Sequence, residues 1–231
     1  MFIKHKKTTK TKTTRQKTKQ TKQTKQTKQN QKNKTKKQNQ KGGIDVNKQF
    51  RTVIKKYLRK QKIGIKNYSG AINTWDVSNV TNMSEVFKGV TGFTESLSAW
   101  DVSNVTDMRE MFAGATSFDG DIRNWDVKNV KNMKSMFSHT NAFNQNISGW
   151  DVGSVITMES MFMDAHKFNQ NISGWDVGSV TTMDLMFHSA TAFDHSLEPW
   201  GQKLGDEISY DEMFTDAPNQ KTRRYKWYNP R

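Results

Sequence analysis

Tryptophan recurs every 25 residues, at Trp75, Trp100, Trp125, Trp150, Trp175 and Trp200, and the apolar positions between keep the same frame. A fixed period of this size is the signature of stacked supersecondary units. One unit reads LSAWDVSNVTDMREMFAGATSFDGD, Leu97 to Asp121. Its columns recur as Val80, Val105, Val130, Val155 and Val180, then Met83, Met108, Met133, Met158 and Met183, then Phe87, Phe112, Phe137, Phe162 and Phe187. A second phenylalanine column runs through Phe93, Phe118, Phe143, Phe168 and Phe193.

Within a unit the pattern changes period. Trp100, Asp101 and Val102 alternate apolar, polar, apolar, which predicts a short strand with the aspartate facing away. Met108, Met111, Phe112 and Ala115 fall at i, i+3, i+4 and i+7, which predicts a short helix with one apolar stripe. The residue before each Met is Asn82, Asp107, Asn132, Thr157 or Thr182, all good N-caps, and Glu85 and Glu110 complete capping boxes in two units. The expected fold is therefore an α/β repeat solenoid, leucine-rich-repeat-like, with a short strand and a short helix per unit.

The expected interior residues of one unit are Leu97, Trp100, Val102, Val105, Met108, Met111, Phe112, Ala115 and Phe118. At about 1.5–3 kcal/mol for each large side chain they fall short of the roughly 1.5 kcal/mol per residue needed to order 25 residues. A lone unit should not fold, and neighbours supply the difference. Both ends need covers. Phe50, Val53, Ile54, Tyr57 and Leu58 follow helical spacing, so residues 46–61 read as an amphipathic helix with a basic outer face, within an N-terminal cap of residues 42–71. The five repeats span 72–196. After Trp200 comes Gly201 in place of Asp, and Met213 and Phe214 arrive two residues late, so 197–220 read as a degenerate C-terminal cap followed by a basic tail, 221–231.

The strings WDVSNVTNM (Trp75 to Met83) and WDVSNVTDM (Trp100 to Met108), with the MF and FN pairs such as Phe143 and Asn144, resemble a known repeat family. They are similar to the BspA-like leucine-rich-repeat surface proteins, a group that includes mycoplasma-type surface lipoproteins. The resemblance covers about residues 63–217. It implies a leucine-rich-repeat-like solenoid with a surface or interaction role, commonly adhesion, and no catalytic residues. A lipoprotein relative would carry a signal and a lipidated cysteine. This chain has no cysteine and begins with a basic arm, so an intracellular or virion-associated location is expected over a secreted one.

Charge is unevenly spread. The net +15 arises from a basic arm, residues 1–41, with fifteen Lys, one Arg and no acid, set against an acidic body with eight bases and twenty-one acids over residues 72–220. Between Lys4 and Lys41 there is no aliphatic residue and no Phe, Tyr or Trp, so the arm should be disordered. Lys17, Lys19, Lys22, Lys25, Lys28, Lys32, Lys34, Lys36 and Lys37 are the candidate polyanion-binding residues. They would attract nucleic acid or an anionic surface without sequence preference and with steep salt dependence. The competing reading is a solvating low-complexity tail with no partner.

The aspartates Asp76, Asp101, Asp126, Asp151 and Asp176 form a ladder about 5 Å per step. It could attract cations, but a recurrent Asp before a turn is also what bonding to backbone amides predicts. The Asn79, Asn104, Asn129, Ser154 and Ser179 column reads as structural. His139, His166, His188 and His195 share no column and do not suggest a metal cluster. No GxSxG, HExxH, Walker loop or GxGxxG is present. An enzyme is not expected, nor a cofactor or metal. The expectation is a monomeric scaffold for an unknown protein partner, with Lys128, Lys131, Lys134, His166 and Lys167 among the unit-specific residues that recognition would use. The alternatives are a nucleic-acid-associated protein whose arm is the functional part, and a secreted adhesin.

Overall fold

The computed structural model describes residues 46–62, 72–205, 207–221 and 225–228, all within one compact unit, Val46–Arg231. The arm, with its nine candidate lysines, lies outside the described residues. Helix α1, Val46–Lys62, occupies the stretch where the spacing placed one. It is followed by a short 3-10 turn at Ile72–Thr74, the repeats, a second 3-10 segment at Glu198–Gln202 and a four-residue helix α2, Pro218–Lys221.

The α/β solenoid expected from the sequence does not form. Among the described residues the repeats contain neither a strand nor an α-helix, and no sheet is built. Trp100, Asp101 and Val102 pair with nothing as a strand. Among the described residues the only β pairing between units is one isolated parallel bridge per step, Asn82 to Asp107, Asp107 to Asn132, Asn132 to Thr157, Thr157 to Thr182 and Thr182 to Ser209. All but Ser209 are residues expected to cap helices.

A backbone alternation replaces the helix. The amides of Met108, Glu110, Phe112 and Gly114 donate to the carbonyls of Asn132, Lys134, Met136 and Ser138 in the next unit, at 2.8–3.0 Å. The amides between them turn back locally, Met111 to Met108, Ala113 to Glu110 and Ala115 to Phe112, at 2.9–3.2 Å. Sending alternate amides outward requires left-handed backbone at two positions per unit. Glu110 has φ 55° and Gly114 φ 71°, and the same columns hold Ser135 and His139, Ser160 and Asp164, and Leu185 and Ser189 in later units. Such conformations are disfavoured for residues with a Cβ. They persist because every one of these amides gains a bond to a neighbouring unit. An α-helix would spend those amides on its own carbonyls and leave the units unjoined.

The interior is aromatic and continuous. All nine residues read as interior in the Leu97–Asp121 unit are buried. Phe112 stacks on Phe118 at 4.0 Å within its unit and on Phe137 at 5.7 Å in the next. The two phenylalanine columns repeat this arrangement from Phe87 to Phe193, and Phe214 continues the first. Trp125 and Trp150 lie parallel at 6.3 Å. From Trp100 to Trp200 each buried indole N–H donates to a carbonyl 28 residues earlier, for example Trp125 to Leu97 at 3.0 Å. Trp75 has no such predecessor; it is half-buried and meets Tyr57 edge-on at 5.3 Å.

Helix α1 closes the first unit with Phe50, Ile54 and Tyr57, which are buried, whereas Val53, counted in the apolar stripe, is 43% exposed. Asn47 stands in for a missing preceding turn: its Oδ1 accepts from the amides of Thr81 and Asn82 at 3.1 and 3.2 Å. In the next unit the equivalent Thr106 amide donates to the Thr81 carbonyl. At the far end the segment read as a basic tail contributes to the core. Tyr225 is buried and its hydroxyl accepts from the Leu197 amide at 3.2 Å. Trp227 covers Gly201, where a Cβ would come within 2.4 Å of the indole. The aromatic density of YKWY within that stretch was the signal for a packed cap.

Candidate functional surface

The recurrent polar residues are occupied by the backbone. Each ladder aspartate is exposed, and each accepts from the amide two residues on: Asp76 from Ser78, Asp101 from Ser103, Asp126 from Lys128, Asp151 from Gly153 and Asp176 from Gly178, at 3.0–3.3 Å. This is an Asx-turn, which short acceptor side chains favour. The same turn recurs at two more places in the unit, through Asp107 to Arg109 and Asp121 to Arg123. Hydrogen bonds from Ser78 hold the Asp76 carboxyl below the usual carboxylate range. The Arg123 and Lys128 side chains do the same for Asp121 and Asp126. Among the described residues no group of three His, Asp or Glu is placed to hold a metal ion.

Asn104 and Asn129 donate their side-chain amides to the Ser78 and Ser103 carbonyls at 2.8 and 2.7 Å, and Ser179 uses its hydroxyl on Gly153 at 2.8 Å. In these three units the column ties the turn to the one before. A further polar ladder, not recognised as such in the sequence, passes through Asp119, Asn144, Asn169 and Asp194: the side chains of the first three accept from the amides of Asn144, Asn169 and Asp194 at 2.9–3.0 Å. The FN pairs carried its signal.

Unit-specific residues lie outside these ladders. Lys128, Lys131, His166 and Lys167 are exposed and Lys134 is half-buried. Lys128 pairs with Asp126, and Lys134 reaches Glu159 of the next unit at 2.8 Å. Lys131 and Lys167 form no ion pair among the described residues. Glu85 with Arg109 at 3.4 Å, Lys88 with Glu110, and His139 with Asp164 at 3.3 Å also join neighbouring units. His166 faces the Ser189 carbonyl and His195 the Asn169 carbonyl, so the histidines are dispersed.

Helix α1 adds a basic surface. Residues 46–62 hold seven bases and no acid, of which Arg51 bonds Asn82 and Ser84 at 2.7 Å while Lys55, Lys56 and Arg59 are exposed. Between this helix and the loop at 89–95 lies a groove of about 620 Å³. No helix among the described residues is long and apolar enough to cross a membrane.

These features define a repeat protein in which recurrent side chains build the frame and variable ones cover it. The chain belongs to the family described as "Mycoplasma protein of unknown function, DUF285", which matches residues 52–153 and again 121–227. No curated protein and no solved structure matches the chain.

Proposed function

We propose that this chain is a non-catalytic scaffold, of the BspA-like surface-protein type, that binds a protein partner through its repeats while its arm attracts a polyanion. The observation that carries the reading is the division of labour within the units. Side chains that recur are buried or bonded to backbone, and side chains that differ, such as Lys131 and Lys167, are exposed without ion-pair partners among the described residues. Display of variable residues on a regular frame is how stacked repeats recognise proteins.

The second reading, a nucleic-acid-associated protein, draws support from the charge of α1, which extends the basic arm without an intervening acid except Asp45. Removing residues 1–41 separates the two. Capture of a defined protein by the 42–231 fragment supports the scaffold, and loss of all binding transfers the function to the arm. Nucleic-acid titrations of the same two proteins, at low and high salt and on two unrelated sequences, complete the test. Binding confined to the full chain, steep in salt and indifferent to sequence, identifies the arm as a polyanion tether. Absence of binding near physiological salt reduces it to a solvating tail.

A further inference from the structure

The first turn of the stack has no predecessor, and the later turns show what that leaves open. The amide of Ser117 donates to the Thr91 carbonyl at 3.1 Å and that of Ala142 to the Thr116 carbonyl at 3.0 Å, so in these two units the column hands its N–H back to the preceding unit, whereas among the described residues the equivalent amides of Lys167 and Ala192 do not. Gly92 occupies the column in the first unit. Two residues on, the amides of Asn144, Asn169 and Asp194 donate backward to the side-chain Oδ1 atoms of Asp119, Asn144 and Asn169; Thr94 holds that column in the first unit, and the Asp119 amide, facing Thr94, has no such bond among the described residues. Among the described residues the amides of Gly92 and Thr94 have no partner. Both residues are exposed, and a Cβ built on Gly92 would meet no atom within 4 Å.

Both residues line the groove beside α1. Leu58, Val90 and Phe93 supply its apolar surface, and Lys55 and Arg59 its charge. The two cations are exposed and form no ion pair among the described residues. The one carboxylate among the described lining residues, Glu95, accepts the Tyr57 hydroxyl. Donor amides at i and i+2 match the repeat of an extended chain, whose carbonyls on one edge have the same spacing. An occupant therefore needs carbonyl acceptors, some apolar side chains and negative charge. The arm, with sixteen bases and no acid, has the wrong sign.

We propose that the groove binds an extended acidic peptide segment of the partner protein, laid where a preceding turn would lie. Its carbonyls accept from Gly92 and Thr94, and its carboxylates meet Lys55 and Arg59. This deepens the scaffold reading and rests on it.

The test uses the ¹⁵N-labelled full chain at physiological ionic strength, titrated with a short acetylated peptide of alternating Glu and Val. A Lys and Val peptide and inorganic phosphate serve as comparison probes. Saturable shifts of the Gly92 and Thr94 amides are expected with the acidic peptide, and K55E/R59E should weaken that binding about tenfold or more. The Trp100 indole resonance, reporting its bond to the Ile72 carbonyl, monitors folding of the variant. Shifts confined to the arm, an undiminished affinity in K55E/R59E, or equal shifts with phosphate alone would each overturn the proposal. If the peptide leaves Gly92 and Thr94 unmoved while K55E/R59E still captures the partner, the groove falls and the scaffold reading stands.

Discussion

Phe137 touches its own unit and both neighbours, with Phe143 at 3.9 Å, Phe112 at 5.7 Å and Phe162 at 5.8 Å. Truncation to alanine removes a fully buried ring from the middle of two columns. Phe137→Ala should lower the unfolding free energy by about 3–5 kcal/mol in urea titrations. A loss below about 1 kcal/mol would show that the rings are not packed as described. At this scale the sequence was readable: the Val, Met and two Phe columns, spaced by 25 residues, are buried. Burial follows from recurrence of apolar type and needs no knowledge of backbone path. The aspartate ladder was readable only as a choice between turn and cation site, because a carboxylate can accept from an amide or a metal with the same atoms.

The elements were less legible, for a physical reason. Met108, Met111, Phe112 and Ala115 satisfy a helical stripe, yet a chain of three-residue turns also brings every third or fourth side chain to one face. What separates the two is the sign of φ at Glu110, Ser135, Ser160 and Leu185, and none of these residue types announces it. Asp107 and its equivalents were read as helix N-caps, and no helix follows them; the same acceptor chemistry opens an Asx-turn or a helix, and the continuation decides. By contrast α1 spans several helical turns, so its stripe left less freedom. Its cap function is testable. Asn47→Ala removes the acceptor for the Thr81 and Asn82 amides and should cost about 0.5–2 kcal/mol. Hydrogen exchange should accelerate first at Thr81 and Asn82, and unchanged exchange there would deny Asn47 the role of a surrogate turn.

For the molecule as a whole, contacts between units are a translation repeated. Excising residues 126–150 joins Trp125 to Asp151 and leaves every column in register. The shortened protein should fold, with a smaller urea m-value and a lower unfolding free energy, since nearest-neighbour terms are removed and none is replaced. A collapsed or aggregating product would mean that the units are not interchangeable. The caps cannot be excised so freely, because Asn47 and Tyr225 each receive amides that would otherwise have no partner at their end of the stack.

The inter-unit hydrogen bonds of Met108, Glu110, Phe112 and Gly114 all bridge one turn to the next, and that gives the protein a mechanical character. Tension applied between α1 and the last turn loads these bonds, with the indole bonds, polar ladders and ring contacts beside them, one interface at a time, as in a zip. Anchored at one end and pulled from the other, the molecule would yield turn by turn and lengthen in steps of one unit.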